Sequence, residues 1–288
     1  MTSIKAEKLS YIYMEGTPFE RKALENINIE IKKGEFVGII GHTGSGKSTL
    51  VQHFNGLLKP TKGRIIINGI DTLGKNLKEL RKQVGIVFQY PEHQLFEETV
   101  YKDISFGLRK FGIGSREMDE KVNKALEIVG LNKNILDKSP FELSGGQKRR
   151  VAIAGVLVME PEIIVLDEPA AGLDPNGRSE IFYFIQKLYE NFGVTVILVS
   201  HNMEEITRLV ERVIVMNKGK IEMDGNVKDI FKDTKRLEQL GLTAPQVTYL
   251  MKRLKRVFND IDDNVYTVKD AKSEILRYLR KATGEMYD

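Results

Sequence analysis

Short aliphatic runs alternate along the chain with longer stretches in which apolar residues recur at helical spacing. Phe36–Ile40 is continuously apolar apart from one glycine and leads into a glycine-rich segment, so it reads as a buried strand. Residues 64–67 end at the turn dipeptide Asn68-Gly69, and residues 84–88, 163–166, 194–199 and 213–216 read as further strands. Between residues 101 and 130 the pattern is helical and charged. This alternation predicts an α/β chain with a mostly parallel sheet and a helical insertion. Near Phe231 the pattern changes and strand signals stop. Thr243-Ala244-Pro245-Gln246 suits a helix start, with Val247, Leu250, Met251, Leu254, Val257 and Phe258 on one face. Thr267 with Asp270 suits a second cap, followed by Val268, Ala271, Ile275 and Leu279 at helical spacing. The expected division is therefore 1–231 and a small helical extension over 232–288, which either packs on the rest of the chain or makes a dimer contact.

Composition narrows the class. A chain of 288 residues with 41% hydrophobic and 29% charged residues can bury a core without disulfide staples. It has no cysteine, and nothing in it calls for an oxidising compartment. Its 44 basic and 40 acidic residues are intermixed, giving +4 without a basic stripe, so no nucleic-acid partner is expected. The apolar runs fall well short of the roughly 18 residues a membrane-spanning helix needs. A soluble protein is expected, with any membrane role supplied through a partner.

Gly41-His42-Thr43-Gly44-Ser45-Gly46-Lys47-Ser48 follows an expected strand and opens an expected helix, which is the context a phosphate-binding loop requires. Glycines let successive backbone N–H groups face phosphate oxygens, and the helix start adds its positive end. Lys47 is expected on the β- and γ-phosphates and the Ser48 hydroxyl on Mg²⁺. The apolar run 163–166 ends in Asp167-Glu168. Asp167 suits the metal or its water, and Glu168 beside it suits a base for the attacking water.

Leu143-Ser144-Gly145-Gly146-Gln147 resembles the signature of ATP-binding cassette (ABC) ATPases. That resemblance covers about residues 4–230 and implies a P-loop cassette: a mixed-sheet core, an antiparallel β subdomain, and a helical subdomain at about 100–160. It implies ATP and Mg²⁺ as cofactors, with ATP sandwiched between two chains. Ser144, Gly145, Gly146 and Gln147 would serve the nucleotide on the opposite subunit, and Thr49 would join the phosphate loop. Gln89 resembles the glutamine that senses the metal, His201 resembles the switch histidine at the γ-phosphate, and 171–174 resembles the loop that crosses the dimer interface. Tyr13 resembles the aromatic that stacks on adenine, with Tyr11 as its rival.

Gln89-Tyr90-Pro91-Glu92-His93-Gln94-Leu95-Phe96 is similar to the corresponding segment of the energy-coupling factor (ECF) transporter ATPases, which power bacterial vitamin and metal-ion uptake. Gly16-Thr17-Pro18-Phe19-Glu20 and the continuation Gln147-Lys148-Arg149-Arg150 are similar to the second of that family's two paralogous ATPases. The resemblance implies a paralogous ATPase partner (or a homodimer in isolation), a transmembrane coupling protein and a separate substrate-capture membrane protein. It also implies a peripheral position on the cytoplasmic face of the membrane. Tyr90, Leu95 and Phe96, rimmed by Glu92, Glu97 and Glu98, are expected to dock the coupling protein. The competing classes are the ATPase of a conventional binding-protein-dependent importer and a non-transport ABC ATPase. No heptads lie between Lys47 and Ser144, which argues against the coiled-coil chromosome type.

Overall fold

The computed structural model describes residues 1–75 and 77–283. In chain order the elements are β1 (Thr2–Tyr13), β2 (Arg21–Lys32), β3 (Phe36–Ile40), α1 (Lys47–Phe54), β4 (Lys62–Ile67), β5 (Ile70–Asp71), α2 (Leu77–Gln83) and β6 (Val84–Val87). There follow α3 (Val100–Lys110), α4 (Ser115–Ile128), α5 (Gly145–Leu157), β7 (Ile163–Asp167), α6 (Pro175–Phe192), β8 (Thr195–Val199), α7 (Met203–Leu209), β9 (Arg212–Asn217) and β10 (Lys220–Asn226). The chain continues through α8 (Val227–Lys232), α9 (Thr234–Gln239), α10 (Gln246–Val257) and α11 (Val268–Thr283).

Two sheets organise these elements. The larger has strand order β10-β9-β3-β8-β7-β6, and all its neighbouring pairs are parallel except β10 with β9. The smaller, β2-β1-β4-β5, is antiparallel throughout. The α/β cassette with an antiparallel subdomain is thus present as expected.

The continuous apolar runs exist because the large sheet is covered on both faces, as parallel sheets are. Along β3, Phe36 and Ile40 enter the core shared with the helices, while Val37 and Ile39 enter the core shared with the small sheet and α1. Strands β7, β8 and β9 split in the same way, with Leu166, Leu198 and Val215 on the helical side and Val165, Ile197 and Ile214 on the other. Side chains alternate faces with period two, so one apolar run feeds two cores.

The C-terminal region departs from its expected shape. Helix α10 begins after Pro245 with no side-chain cap, so Thr243 does not cap it. The physical reason is Pro at the cap position, which leaves the chain extended up to Gln246. Thr267 does cap α11, accepting from the Asp270 N–H at 3.1 Å and donating to its carboxylate at 2.7 Å. Met251 is buried with Ile261, Val265 and Ala271 in a small core, while Leu250 and Val257 are exposed. The expected single apolar face is therefore split. Leu237, Leu240, Leu242, Ala244 and Tyr266 lie in the large helical core, so residues beyond 231 also pack on the cassette. Positions 284–288 of the expected extension lie outside the described residues.

Candidate nucleotide site

Parallel strands deliver their C-terminal ends to one edge of a sheet, where ligands of open α/β folds bind. Here β3 leads into Gly41, β6 into Gln89, β7 ends at Asp167 with Glu168 just beyond it, and β8 leads into Ser200-His201.

The loop 41–46 is shaped by close backbone approach. Gly46 caps α1 at φ 104°, and a Cβ there would stand 2.8 Å from the Ala23 carbonyl oxygen. A Cβ at Gly41 would stand 2.4 Å from the Met216 carbonyl oxygen. No side chain caps the start of α1, leaving its first N–H groups for another acceptor. His42 is pinned by Thr43 O at 2.7 Å and Asn217 Oδ1 at 2.8 Å. Ser45 Oγ is buried and finds no hydrogen-bond partner among the described residues.

Lys47 is buried and donates to Gly41 O at 2.7 Å and His42 O at 3.1 Å. An ammonium has three donors, so one remains. Burial pulls its pKa down, and the charges of Glu168 and Asp167 oppose that shift. Asp167 is likewise buried; desolvation raises its pKa against the lowering effect of a Ser48 hydrogen bond. A carboxylate disfavoured by burial and facing a hydroxyl is a hard-oxygen donor set that a divalent cation would relieve. No group of three or more His, Cys, Asp or Glu side chains able to hold a metal occurs among the described residues. Oxygen from the nucleotide would have to complete such a site, as is usual for Mg²⁺.

Glu168 sits just past β7 at φ 50°, an uncommon conformation for a residue with a side chain. Its N–H donates to Val199 O at 2.9 Å. Gln89 Nε2 donates to Glu168 Oε2 at 2.9 Å, and His201 Nδ1 lies 3.1 Å from Glu168 Oε1. The three residues that the sequence places far apart thus meet on one carboxylate.

A cleft of about 580 Å³ is lined by Tyr13, Thr43, Gly44, Gly46, Lys47, Ser48, Thr49, Gln89, Asp167 and Glu168. Tyr13 is partly exposed and its hydroxyl is 3.2 Å from Thr49 Oγ1. Tyr11 is not in the lining; its ring meets Tyr13 edge-on at 4.8 Å and His53 at 4.9 Å. Arg21, Lys22, Lys218 and Gly219 also line the cleft and were missed by sequence reasoning. They arrive from β2 and the β9–β10 turn, and no contiguous motif announces them.

Ser144, Gly145, Gly146 and Gln147 are absent from that lining. Ser144 and Gln147 form a capping box on α5, with Gln147 N donating to Ser144 Oγ at 3.4 Å and Ser144 N to Gln147 Oε1 at 3.1 Å. A Cβ at Gly145 or Gly146 would meet nothing within 4 Å, so this helix start faces open space. The docking segment differs from its expected form. Leu95 is buried, Phe96 is exposed, and Glu92 is not a free rim charge but is paired with buried Arg149. Glu97 pairs with Arg109 at 2.6 Å and Glu98 with Lys102 at 2.5 Å.

The ABC transporter family matches residues 24–171. The chain is 64% identical over 280 residues to the energy-coupling factor transporter ATP-binding protein EcfA2 of Acetivibrio thermocellus, covering 97% of this chain and 100% of that protein. Among solved structures it is similar to cbiO1 of Clostridium perfringens, described as part of the ABC transporter complex cbiONQ, with 42% identity, a TM-score of 0.73, and coverage of 87% of this chain and 99% of that one. The ATP-binding cassette MJ0796, solved as a dimer in a post-hydrolysis state bound to ADP and Pi, matches at 33% identity and a TM-score of 0.69, over 78% of this chain and 98% of that one.

Proposed function

The chain belongs to the ABC transporter family, among its energy-coupling factor ATP-binding proteins, and from that premise we infer that it binds and hydrolyses ATP to energise an energy-coupling factor transporter. The observation that carries the reading is a division of labour. The phosphate loop, Asp167, Glu168, Gln89 and His201 line or border one cleft, while the signature at Ser144–Gln147 starts a helix that faces open space elsewhere. One chain therefore holds half of each site, and two chains complete both.

In this reading the loop N–H groups, the start of α1 and the free donor of Lys47 bind the β- and γ-phosphates. Ser48, Asp167 and the side-chain amide oxygen of Gln89 would hold Mg²⁺, which would supply positive charge beside the β- and γ-phosphates. Glu168 takes up the proton of the attacking water. A carboxylate has about four lone-pair sites, and Gln89 and His201 engage one on each oxygen, which orients the group while leaving it basic. Tyr13, on the cleft wall beside Thr49, stacks on the adenine, and Tyr11 supports it edge-on. Ser144, Gly146 and the start of α5 serve the partner's γ-phosphate.

No helix among the described residues is long and apolar enough to cross a membrane. The chain acts from the cytoplasmic face, bound to a transmembrane coupling protein and a paralogous ATPase, with the cargo chosen by a further membrane protein. The exposed residues of α10 and α11, among them Leu250 and Leu279, add a dimer contact. The test expresses the chain with a coupling protein, a paralogous ATPase and a substrate-capture protein and measures ATP-dependent uptake and co-purified membrane proteins, wild type against Glu168→Gln. Co-purification with membrane partners and uptake lost in the variant are expected. Uptake that survives in Glu168→Gln would overturn the assignment of the base.

A further inference from the structure

Among the described residues Arg149 is the largest fully buried side chain, 1% exposed, yet it lies outside the nucleotide cleft. Its guanidinium makes four hydrogen bonds to two other segments of chain. Nε and Nη2 donate to the two carboxylate oxygens of Glu92 at 2.9 and 2.6 Å. Nη1 donates to the carbonyl oxygens of Pro169 at 3.1 Å and Ala171 at 2.8 Å. Glu92 belongs to the 3₁₀ turn Pro91–Gln94 that follows Gln89. Pro169 and Ala171 belong to the turn that follows Glu168. Arg149 itself stands one turn into α5, behind Ser144–Gln147.

Stability alone explains this poorly. A buried ion pair adds little over well-packed apolar side chains of the same volume, because both charges must leave water. What an apolar side chain cannot supply is a pair of donors for two carbonyl oxygens in one turn. That turn has a specific need for them. Glu168 holds a positive φ, which persists only where the surroundings impose it. Its other backbone restraints are the Glu168 N–H to Val199 O bond and the Ala171 N–H to Glu168 O bond, at 2.9 and 3.1 Å. The planar fork of Arg149 fixes the far side of the turn, and the bidentate Glu92 carboxylate fixes the fork.

We propose that Arg149 is a positioning residue for ATP hydrolysis: it locks the Pro169–Ala171 backbone, and thereby the Glu168 carboxylate, to the helix whose first turn serves the partner's nucleotide. A shift of the signature helix in one composite site then moves the base of the other. This inference rests on Glu168 being the base.

The experiment compares wild type, Arg149→Met, Arg149→Lys and Glu92→Gln in the full-length chain purified with its transporter partners. Glu168→Gln is assayed beside them. ATP binding is titrated first, so that turnover is expressed per ATP-binding chain. Arg149→Met should lower kcat by about 10- to 10²-fold, as a misplaced catalytic group does, with the KM for ATP within about twofold. Arg149→Lys should fall between, because one ammonium cannot span a carboxylate and two carbonyls. Glu92→Gln keeps the donors to Pro169 and Ala171 but loosens the fork that carries them, so it should lose melting temperature and lower kcat by less than Arg149→Met does. Millimolar ethylguanidinium should restore part of the kcat of an Arg149→Ala chain, and methylammonium should not. Unchanged kcat per ATP-binding chain in both Arg149→Met and Arg149→Lys would overturn the proposal and leave Arg149 a structural residue. If Arg149→Met does not fold, the kcat of Arg149→Lys decides alone. Wild-type turnover by Glu168→Gln would instead overturn the base assignment.

Discussion

Gln89 donates its side-chain N–H to Glu168 at 2.9 Å across a sequence separation of 79 residues, and His201 meets the other oxygen of the same carboxylate at 3.1 Å. The segments after β6 and after β8 thus bracket the residue just past β7. A change at Gln89 or His201 removes one of these two contacts on the Glu168 carboxylate.

Replacing Glu168 by Gln keeps its size and one acceptor oxygen but removes the proposed base. Turnover should fall by about 10²–10⁴-fold, the usual contribution of a positioned general base. ATP affinity should hold, and a dimer containing trapped ATP should accumulate in size-exclusion chromatography with radiolabelled nucleotide. Turnover within about twofold of wild type would remove Glu168 from the chemistry.

Asp167 supplies a prediction about the protein without nucleotide. Burial holds its pKa above the ordinary carboxyl value of 3.8. A carboxyl raised in the folded state favours its protonated form, so ionising it costs stability as pH rises through that raised value and at every pH above it. Asp167→Asn removes the cost while keeping an oxygen for Ser48. Without nucleotide at neutral pH the variant should melt no lower than wild type, whereas the extra stabilisation by Mg²⁺-ATP should vanish. Differential scanning calorimetry with and without Mg²⁺-ATP measures both, and a lower melting temperature without ligand would contradict the argument from burial.

The separation of the signature from the cleft predicts complementation between defective chains. Lys47→Ala damages a chain's own phosphate loop, and Gly146→Asp damages what it offers its partner by placing a charge beside an incoming γ-phosphate. A mixture of the two forms some dimers in which one composite site keeps both intact halves. ATPase activity of the mixture should exceed the sum of the two variants alone. Strict additivity would mean that each chain builds its whole site in cis.

The continuous strands were legible because both faces of β3, β7 and β8 are buried, which leaves no polar alternation to confuse. The 12-residue strands β1 and β2 were not read, because register shifts and the positive-φ residues Lys8 and Asn26 break their alternation. The phosphate loop is contiguous and announces itself. The meeting of Gln89, Glu168 and His201 depends on strand order, which no local window contains. Arg149 was hidden for another reason: in Lys148-Arg149-Arg150 a basic run on a helix reads as a solvated face, and only the fold shows its middle member buried against Glu92.

The Glu92–Arg149 pair predicts a particular acid response. Burial works to raise the Glu92 pKa, but the Arg149 guanidinium and backbone hydrogen bonding prevail and hold it below its ordinary 4.5. The stability it contributes is therefore fully present above pH 4.5 and is lost as pH falls through the lowered folded value. Removing one partner of a buried pair typically costs about 3–5 kcal/mol, and Gln, which keeps one hydrogen bond, should fall at the low end. Urea denaturation of wild type and Glu92→Gln should show a gap at neutral pH that narrows below pH 4.5. A gap that stays constant into acid would mean that the ionised carboxylate is not its source.

The last prediction concerns the surface proposed to dock the coupling protein, as the structure reshapes it. Leu95 is buried in the core with Val100 and Ile104, and Glu92 is committed to Arg149, so neither is available to a partner. Phe96 remains, 62% exposed and resting edge-on against Phe106 at 5.1 Å, with Tyr90 partly exposed nearby in sequence. An exposed aromatic ring contributes little to folding, so Phe96→Ala should change stability by no more than about 0.5 kcal/mol. In an interface the same ring is an anchor whose truncation typically costs about 2 kcal/mol or more of binding. Phe96→Ala should therefore leave the melting temperature and the ATPase activity of the isolated chain near wild type, while lowering recovery of the membrane partner and ATP-driven uptake. Reversing Glu97 and Glu98, whose partners Arg109 and Lys102 lie on the same insertion, should add to the defect only if the partner presents basic groups there. Wild-type uptake and assembly in the Phe96→Ala, Glu97→Lys, Glu98→Lys chain would place the docking surface elsewhere on the cassette.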